Sequence, residues 1–335
     1  MPKKSGVGQS RLLEDEPAQN KSRDRKSEDV ASKGQLALAM AELREAREDP
    51  NYGKDLMQVA QVMIFCGLPY QKTDAREITR QARMANGDFV TVTFKAMVPG
   101  IDMPYGADRT LFHWMTHQAV LTKDPFIPLS SASKFLNDMD MSTGGPNIKR
   151  VREAFERVSA MAIVVERRHE GSLQRVIMPL VRATNLPDTL RSGEQMQLLD
   201  APAREKNRFE SEYGFRLDDA VFKEFTNFHV PVLRKLIQAT RQKSQMQDYM
   251  MFLVHRSYGA MTTSCIPWSS LLEQLWHEDS NTRRIRSRMA EAISALRIAW
   301  PEINADATIK GLTIGPPRSG KQFLARGEEL KRLSR

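Results

Sequence analysis

A chain of 335 residues, 41% of them hydrophobic, is long enough for two ordinary domains with their connections and apolar enough to bury cores. Its formal net charge of +9 makes polyanions the natural partners, with nucleic acid first and an acidic membrane surface second. Two cysteines, Cys66 and Cys265, exclude a disulfide framework and a four-ligand zinc site, and no apolar run approaches the roughly 18 residues of a membrane span.

The opening "MPKKSGVGQSR" is basic but leads into no apolar stretch, so no secretory signal is expected and a cytoplasmic location with reduced thiols is. Residues 1–33 are polar, charged and almost free of aromatics, which predicts a disordered N-terminal tail. "QLALAMAELREAREDP" then predicts a short amphipathic helix ending at Pro50. A second quiet zone, Arg182 to Asn207, carries turn formers and little periodicity and reads as an interdomain connection.

On either side of that connection lies a weak internal repeat. Ile127-Pro128-Leu129-Ser130 aligns with Ile266-Pro267-Trp268-Ser269, Trp114 with Phe252, and Phe155 with Ile293. Each copy predicts a first helix (Ala107–Leu121; Gln245–Tyr258) and a short strand ending in Ile-Pro. A second helix follows, opened by Ser130 or Ser269 (Ser131–Met139; Ser270–His277), then a polar turn and a longer third helix (Ile148–Met161; Thr282–Ala299). A hairpin closes each copy, with turns at His169–Ser172 and at Lys310-Gly311. That order predicts an α+β, helix-rich fold of two tandem winged helix-turn-helix domains. The expected boundaries are 34–181 for the first domain, 182–207 for the connection, 208–317 for the second domain and 318–335 for a basic C-terminal tail.

The charge concentrates late in the chain. From Asn281 to Arg335 there are 12 Lys+Arg against 5 Asp+Glu. In "NTRRIRSR", Ile285 and Met289 begin an apolar stripe that continues through Ala292, Ile293, Leu296 and Trp300. Arg283, Arg284, Arg286, Ser287 and Arg288 are left to approach base edges in a major groove, as the start of a recognition helix does. Cations at a helix N-terminus are disfavoured by roughly 0.3–1 kcal/mol each, so this loading anticipates an anion.

The third helix of the first copy buries Ile148, Val151, Phe155 and Val158 and leaves Lys149, Arg150 and Arg157 exposed beside Glu153 and Glu156. That mixture suits phosphate contact or protein association better than base reading. Arg167, Arg168 and Arg175 in the first hairpin are further candidates for following a backbone, and Lys310, Arg318 and Lys321 are the corresponding candidates around the second.

No catalytic constellation is expected. His113 and His117 stand at i,i+4 on one helix, half of a metal site, but no Glu follows His113 and nothing completes the set, so both read as structural or surface histidines. Tyr249 and Tyr258 sit in a core-like helix. Trp114, Trp268, Trp276 and Trp300 fall on core positions. "GPPRSGKQF" spells most of a phosphate loop, yet Gln322 replaces the Ser or Thr that holds magnesium, and Pro316 and Pro317 lack N–H groups. No enzyme activity, metal or cofactor is therefore expected, and the stretch reads as the exit from the second wing into a tail lying along DNA phosphates.

Four blocks carry a family resemblance: "FCGLPYQK" (Phe65–Lys72), "MPYGADRTLFHWM" (Met103–Met115), "SASKFLNDMDMSTGGPNIKRVREAFERV" (Ser131–Val158) and "RFESEYGFRLDDAVFKEF" (Arg208–Phe225). They resemble the RepA-type plasmid replication initiators of bacteria. The resemblance implies a non-enzymatic protein that binds repeated origin sequences in double-stranded DNA. It further implies help in opening the origin, recruitment of the host helicase and initiator, and a homodimer that represses its own gene. A winged-helix transcriptional repressor without a replication role is the alternative from another class.

Overall fold

The protein is described from a computed structural model, which covers residues 18–83, 88–169, 171–186, 212–275 and 281–324. α1 (Ala18–Glu48) begins inside the segment expected to be disordered. Leu36, Met40 and Leu43 recur at helical spacing and are buried. Once that end is packed, the costly nucleation step is past, and residues 18–33, free of Pro and Gly, extend the helix one hydrogen bond at a time.

The chain continues through β1 (Leu56–Ala60), α2 (Gln61–Phe65), a hairpin of β2 (Glu77–Arg83) and β3 (Phe89–Ala96), and α3 (Asp108–Thr122). Then come β4 (Phe126–Pro128), α4 (Ala132–Asp138), α5 (Gly145–Ser159), a hairpin of β5 (Met161–His169) and β6 (Ser172–Pro179), and β7 (Val181–Asn185). After 187–211, which lie outside the described residues, β8 (Gly214–Leu217), α6 (Asp219–Asn227), β9 (His229–Leu233), α7 (Arg234–Thr240) and α8 (Ser244–Gly259) follow. The last elements are β10 (Ser264–Pro267), α9 (Trp268–Gln274), α10 (Thr282–Ala299), β11 (Ala305–Ala307) and β12 (Gly311–Ile314).

The fold is thus mixed α/β, and helix, strand, helix, helix, hairpin occurs twice, as α3 to β6 and as α8 to β12. Local chemistry sets the boundaries. Ser131, not Ser130, caps α4 by accepting the Lys134 N–H at 3.2 Å. α5 starts at Gly145, three residues before the expected Ile148, because Pro146 suits a first helical turn where its missing N–H costs nothing. Ser269 caps nothing: α9 begins at Trp268, directly after Pro267.

Sheet pairing separates the two copies. β10 joins its own hairpin in the order β10-β12-β11, with Ile266 opposite Leu312. In the first copy the hairpin extends a four-stranded antiparallel sheet, in which β5 lies between β3 and β6 and β6 forms the edge. β4 instead pairs with β8, from beyond the expected connection, and β8 pairs with β7. β1 likewise pairs with β9. α1 packs on α10 and α7. Segments from each half therefore complete the other.

Phe215 of β8 sits among Trp114, Phe135 and Phe155, with ring centroids 6.4 Å from Trp114 and 5.2 Å from Phe155, and Trp114 meets Phe135 edge-on at 5.5 Å. Such edge contacts add about 0.5–1.5 kcal/mol each beyond burial. Trp268 and Trp300 are also buried, while Trp276 lies outside the described residues.

A polar knot fixes the two halves against one another. Arg109 in the first turn of α3 is 1% exposed and forms an ion pair with Asp248 of α8, itself 2% exposed. Its remaining N–H groups donate to the carbonyls of Gly106, Ser244, Leu68 and Pro69 at 2.8 to 3.2 Å, and its guanidinium lies 4.9 Å from the centre of the Tyr70 ring. Gly67 leaves room for this pair, because a Cβ there would fall 2.5 Å from Asp248 Oδ2 and push it aside. One position before Arg109, Asp108 takes Arg157 of α5 in a two-pronged ion pair at 2.7 and 3.0 Å.

Candidate nucleic-acid interface

α10 presents the most concentrated positive charge among the described residues. Its apolar stripe, Ile285, Met289, Ala292, Ile293, Leu296 and then Trp300, is buried as its spacing predicts. The helix packs on α8 and α9. That seats the opposite face outward. Asn281 caps the helix by accepting the N–H groups of Arg283 and Arg284 at 3.0 and 3.3 Å. Capping pins the first turn, so the arginine backbones are fixed before any ligand arrives.

Arg283, Arg284, Ser287 and Arg288 are exposed, and Arg286 is half-buried on the flank. Arg288 pairs with Glu291 at 3.2 Å. An exposed pair of this kind is worth about 0–1 kcal/mol, so releasing Arg288 toward a phosphate or a guanine costs little. Near the other end of α10, Arg297 donates to the Ala305 carbonyl and to Asp306 Oδ1, both at 2.8 Å, which ties β11 to the helix. The tip that joins β11 to β12 carries Lys310, fully outside the core.

The backbone-contact candidates divide into two groups. Lys149 and Arg150 are exposed on α5, Lys149 only loosely tied to Glu153 at 3.9 Å, and Arg168 is exposed near the end of β5. Arg157 is not exposed as its spacing suggested. It is 15% exposed, holds Asp108, and stacks 4.8 Å from the centre of the Tyr105 ring. Arg167 is likewise committed, bonding Glu224 Oε1 at 2.5 Å and lying 4.5 Å from the Phe228 ring centre. Arg175 pairs with Glu166. Sequence spacing places Arg157 and Arg167 on the solvent side of their elements but does not reveal α3 and α6 arriving opposite them.

Arg318 is exposed, and Lys321 stands 4.0 Å from Glu302. The segment expected to be a free basic tail is folded as far as Leu324. Phe323 and Leu324 are 4% and 6% exposed. The Trp300 indole donates to the Lys321 carbonyl at 3.0 Å. Arg47, near the end of α1, donates to the carbonyls of Ala299, Gln322 and Phe323 and stacks over the Phe323 ring. Two apolar side chains and a set of carbonyl acceptors hold what its charge alone would have left in solvent. The N–H groups of Gly315, Arg318 and Gly320 donate to Asn304, Glu302 and Pro317 carbonyls. These donors of the phosphate-loop spelling are engaged within the protein.

His113 and His117 are both buried. Burial, with Arg109 adding a smaller push, takes His113 down to about 3, and burial with Arg234 takes His117 to about 4. His117 Nδ1 accepts the Gln58 N–H at 3.2 Å. Burial also raises the Cys66 thiol to about 12 and the Tyr249 phenol above its ordinary range. These are packed, neutral groups. Among the described residues, no three His, Cys, Asp or Glu side chains gather to hold a metal ion, and no helix is long and apolar enough to cross a membrane.

No protein-family model and no curated protein matches the chain. Two crystal structures of domains 2 and 3 of RctB align with it. A selenomethionine derivative gives a TM-score of 0.43 at 12% identity, over 69% of this chain and 82% of that one. The second, of residues 155–483, gives 0.38 at 11% identity, over 70% and 82%. Likeness at this level establishes neither a shared fold nor a shared function.

Proposed function

We propose that the protein is a non-enzymatic replication initiator of plasmid type, which binds repeated duplex sequences at an origin through α10. The carrying observation is the capped, exposed run of Arg283, Arg284, Ser287 and Arg288, with Arg286 on its flank, placed where the helix dipole disfavours cations. Phosphates or guanine edges relieve that conflict, each well-placed Arg–guanine pair discriminating by about 1–3 kcal/mol.

In this reading the two repeated sets of elements are winged helices. The second supports it better, since β10 closes onto its own hairpin. The first, with β4 paired away to β8, supplies backbone contacts through Lys149, Arg150 and Arg168 and a surface for self-association. Origin opening, recruitment of the host helicase and initiator, self-repression by a homodimer and a cytoplasmic location follow from the resemblance of the four sequence blocks.

The test is binding of the purified protein to the DNA flanking its own gene, in gel shifts across a salt series with random duplex as competitor. Stepwise complexes on repeated sites that survive competitor are expected. Binding that ignores sequence and collapses with salt would leave a basic DNA-coating protein and end the initiator reading.

A further inference from the structure

α3, α5 and the turn that leads from α7 into α8 line a cavity of about 580 Å3, within the ordinary range for a small-molecule site. Its walls are held in place by bonds of their own. On one side Arg157 grips Asp108 and stacks on the Tyr105 ring, fixing the start of α3 against α5. On the other, Gln238 donates to Asp140 Oδ2 at 2.7 Å and Arg241 to the Asp140 carbonyl at 3.4 Å. Those two bonds join the α7–α8 turn to the turn between α4 and α5. Leu111, Phe135, Val151 and Ala154, with half-buried Met141, give the interior an apolar lining.

Thr110, in the first turn of α3, lines the same cavity. It is 5% exposed, and its hydroxyl has no hydrogen-bond partner. Four other helical threonines satisfy theirs on the carbonyl four residues back, at 2.6 to 3.0 Å: Thr116, Thr122, Thr226 and Thr240. The carbonyl four back from Thr110 belongs to Gly106, and Arg109 Nε already donates to it at 2.8 Å. A buried hydroxyl left unpaired in this way is costly. Threonine has two open χ1 settings in a helix, so the group can turn to meet an acceptor held in the cavity.

The charge on the walls narrows the choice of ligand. Arg157 is neutralised by Asp108, whereas exposed Arg150 and half-buried Arg241 form no ion pair among the described residues. Two guanidinium forks on one cavity suit an oxyanion, which each can hold by paired hydrogen bonds. Glu153 lines the cavity as well and repels a second negative charge. A phosphate ester carries about 1.5 to 2 negative charges at neutral pH, a carboxylate only a single one. The carboxylate is the better match.

We propose that this cavity binds a small organic acid. Its carboxylate lies between Arg150 and Arg241, its apolar body on Leu111, Met141 and Val151, and an acceptor atom reaches the Thr110 hydroxyl. Arg150 belongs to the first copy of the repeat and Arg241 to the turn that leads into the second, so an occupied cavity ties the two halves together. The site stands whether or not α10 reads DNA.

The test uses the full chain and a panel of aryl carboxylates bearing a keto or ether oxygen, each matched to its neutral primary amide. Inorganic phosphate is the third probe. Affinity is read from the rise in melting temperature with probe concentration. The best carboxylates should bind at about 1 mM or tighter, and about tenfold more tightly than their amides. Arg150→Ala with Arg241→Ala should abolish that preference. Thr110→Val should weaken binding about tenfold while the melting temperature of the free protein holds or rises, because the unpaired hydroxyl is gone. Thr110→Ser, which keeps the hydroxyl, should bind as wild type does.

Failure of every carboxylate to bind would overturn the proposal, as would acids and amides that bind alike. Phosphate binding as tightly as the carboxylates would reduce the site to a basic surface. A lower melting temperature in Thr110→Val, restored in Thr110→Ser, would show the hydroxyl engaged within the protein and would overturn the site as well.

Discussion

Arg109 and Asp248 pair across the two first helices of the repeat, at nearly equivalent places, since the alignment of Trp114 with Phe252 sets Arg109 opposite Gln247, the neighbour of Asp248. Both side chains are withdrawn from water, so neither tolerates loss of the other. Asp248→Ala should cost about 3–5 kcal/mol in urea unfolding, the range for an orphaned buried charge. Arg109→Met combined with Asp248→Leu should recover only part of this, because the carbonyls of Leu68, Pro69, Gly106 and Ser244 lose their donor.

At α10, Arg284→Ala with Arg288→Ala should weaken binding to the specific site more than to random duplex. Removing two arginine–base pairs corresponds to about 2–6 kcal/mol of discrimination. Equal weakening on both duplexes in a filter-binding titration would show that these arginines touch only phosphates.

Arg157 separates structural charge from the charge proposed to contact DNA. Arg157→Ala should lower stability by a few kcal/mol, since Asp108 is left buried without its two-pronged partner, while the slope of log affinity against log salt stays as in wild type. Lys149→Ala and Arg150→Ala should do the reverse, leaving stability within about 0.5 kcal/mol and reducing the slope by about 0.9 for each phosphate no longer neutralised.

Stability should fall as pH drops from 7 to 5. His113 and His117 are held neutral in the fold, near 3 and 4, whereas an unfolded histidine titrates near 6.5. Below pH 6.5 the unfolded chain therefore binds protons that the folded one refuses, and each histidine removes up to about 1.4 kcal/mol per pH unit. Urea midpoints at pH 7, 6 and 5 measure this. His113→Met should flatten the dependence by about one histidine's share.

Most helices, the hairpins that close the two copies and the buried stripe of α10 were legible because each depends on residues a few positions apart, whereas the β2–β3 hairpin was not read. Trp114, Trp268 and Trp300 were readable as core for the same reason. What local pattern could not reveal depends on partners far along the chain. Arg157 and Arg167 occupy solvent-facing positions of their own elements until α3 and α6 bring Asp108 and Glu224 against them. β4 carries the same Ile-Pro ending as β10, yet pairs with β8, from beyond the expected connection, and not with its own hairpin. Charge counting marked 318–335 as tail, but Phe323 needed only a cation and a tryptophan nearby to fold, and Arg47 and Trp300 provide them.

Phe323→Ala should consequently unfold the protein more easily, by about 3–5 kcal/mol as for other buried phenylalanines. A matching loss on Arg47→Ala, with no further loss when both are changed, would place the two in one unit.

The clasp between Arg47 and Phe323 joins residues 276 positions apart. Closing so long a loop is entropically slow, and native contacts of this span retard folding. On a ribosome adding about 5–20 residues per second, α1 emerges roughly 15 to 55 seconds before its acceptors exist. During that interval Leu36, Met40 and Leu43 have no α10 to cover them and are exposed to chaperones and to other nascent chains. A product truncated before residue 299 would lack the last turn of α10 and the carbonyls that α1 grips, leaving it open to proteolysis. Synthesis itself thus favours copies whose α10 is complete and clasped at its end by α1 over truncated ones.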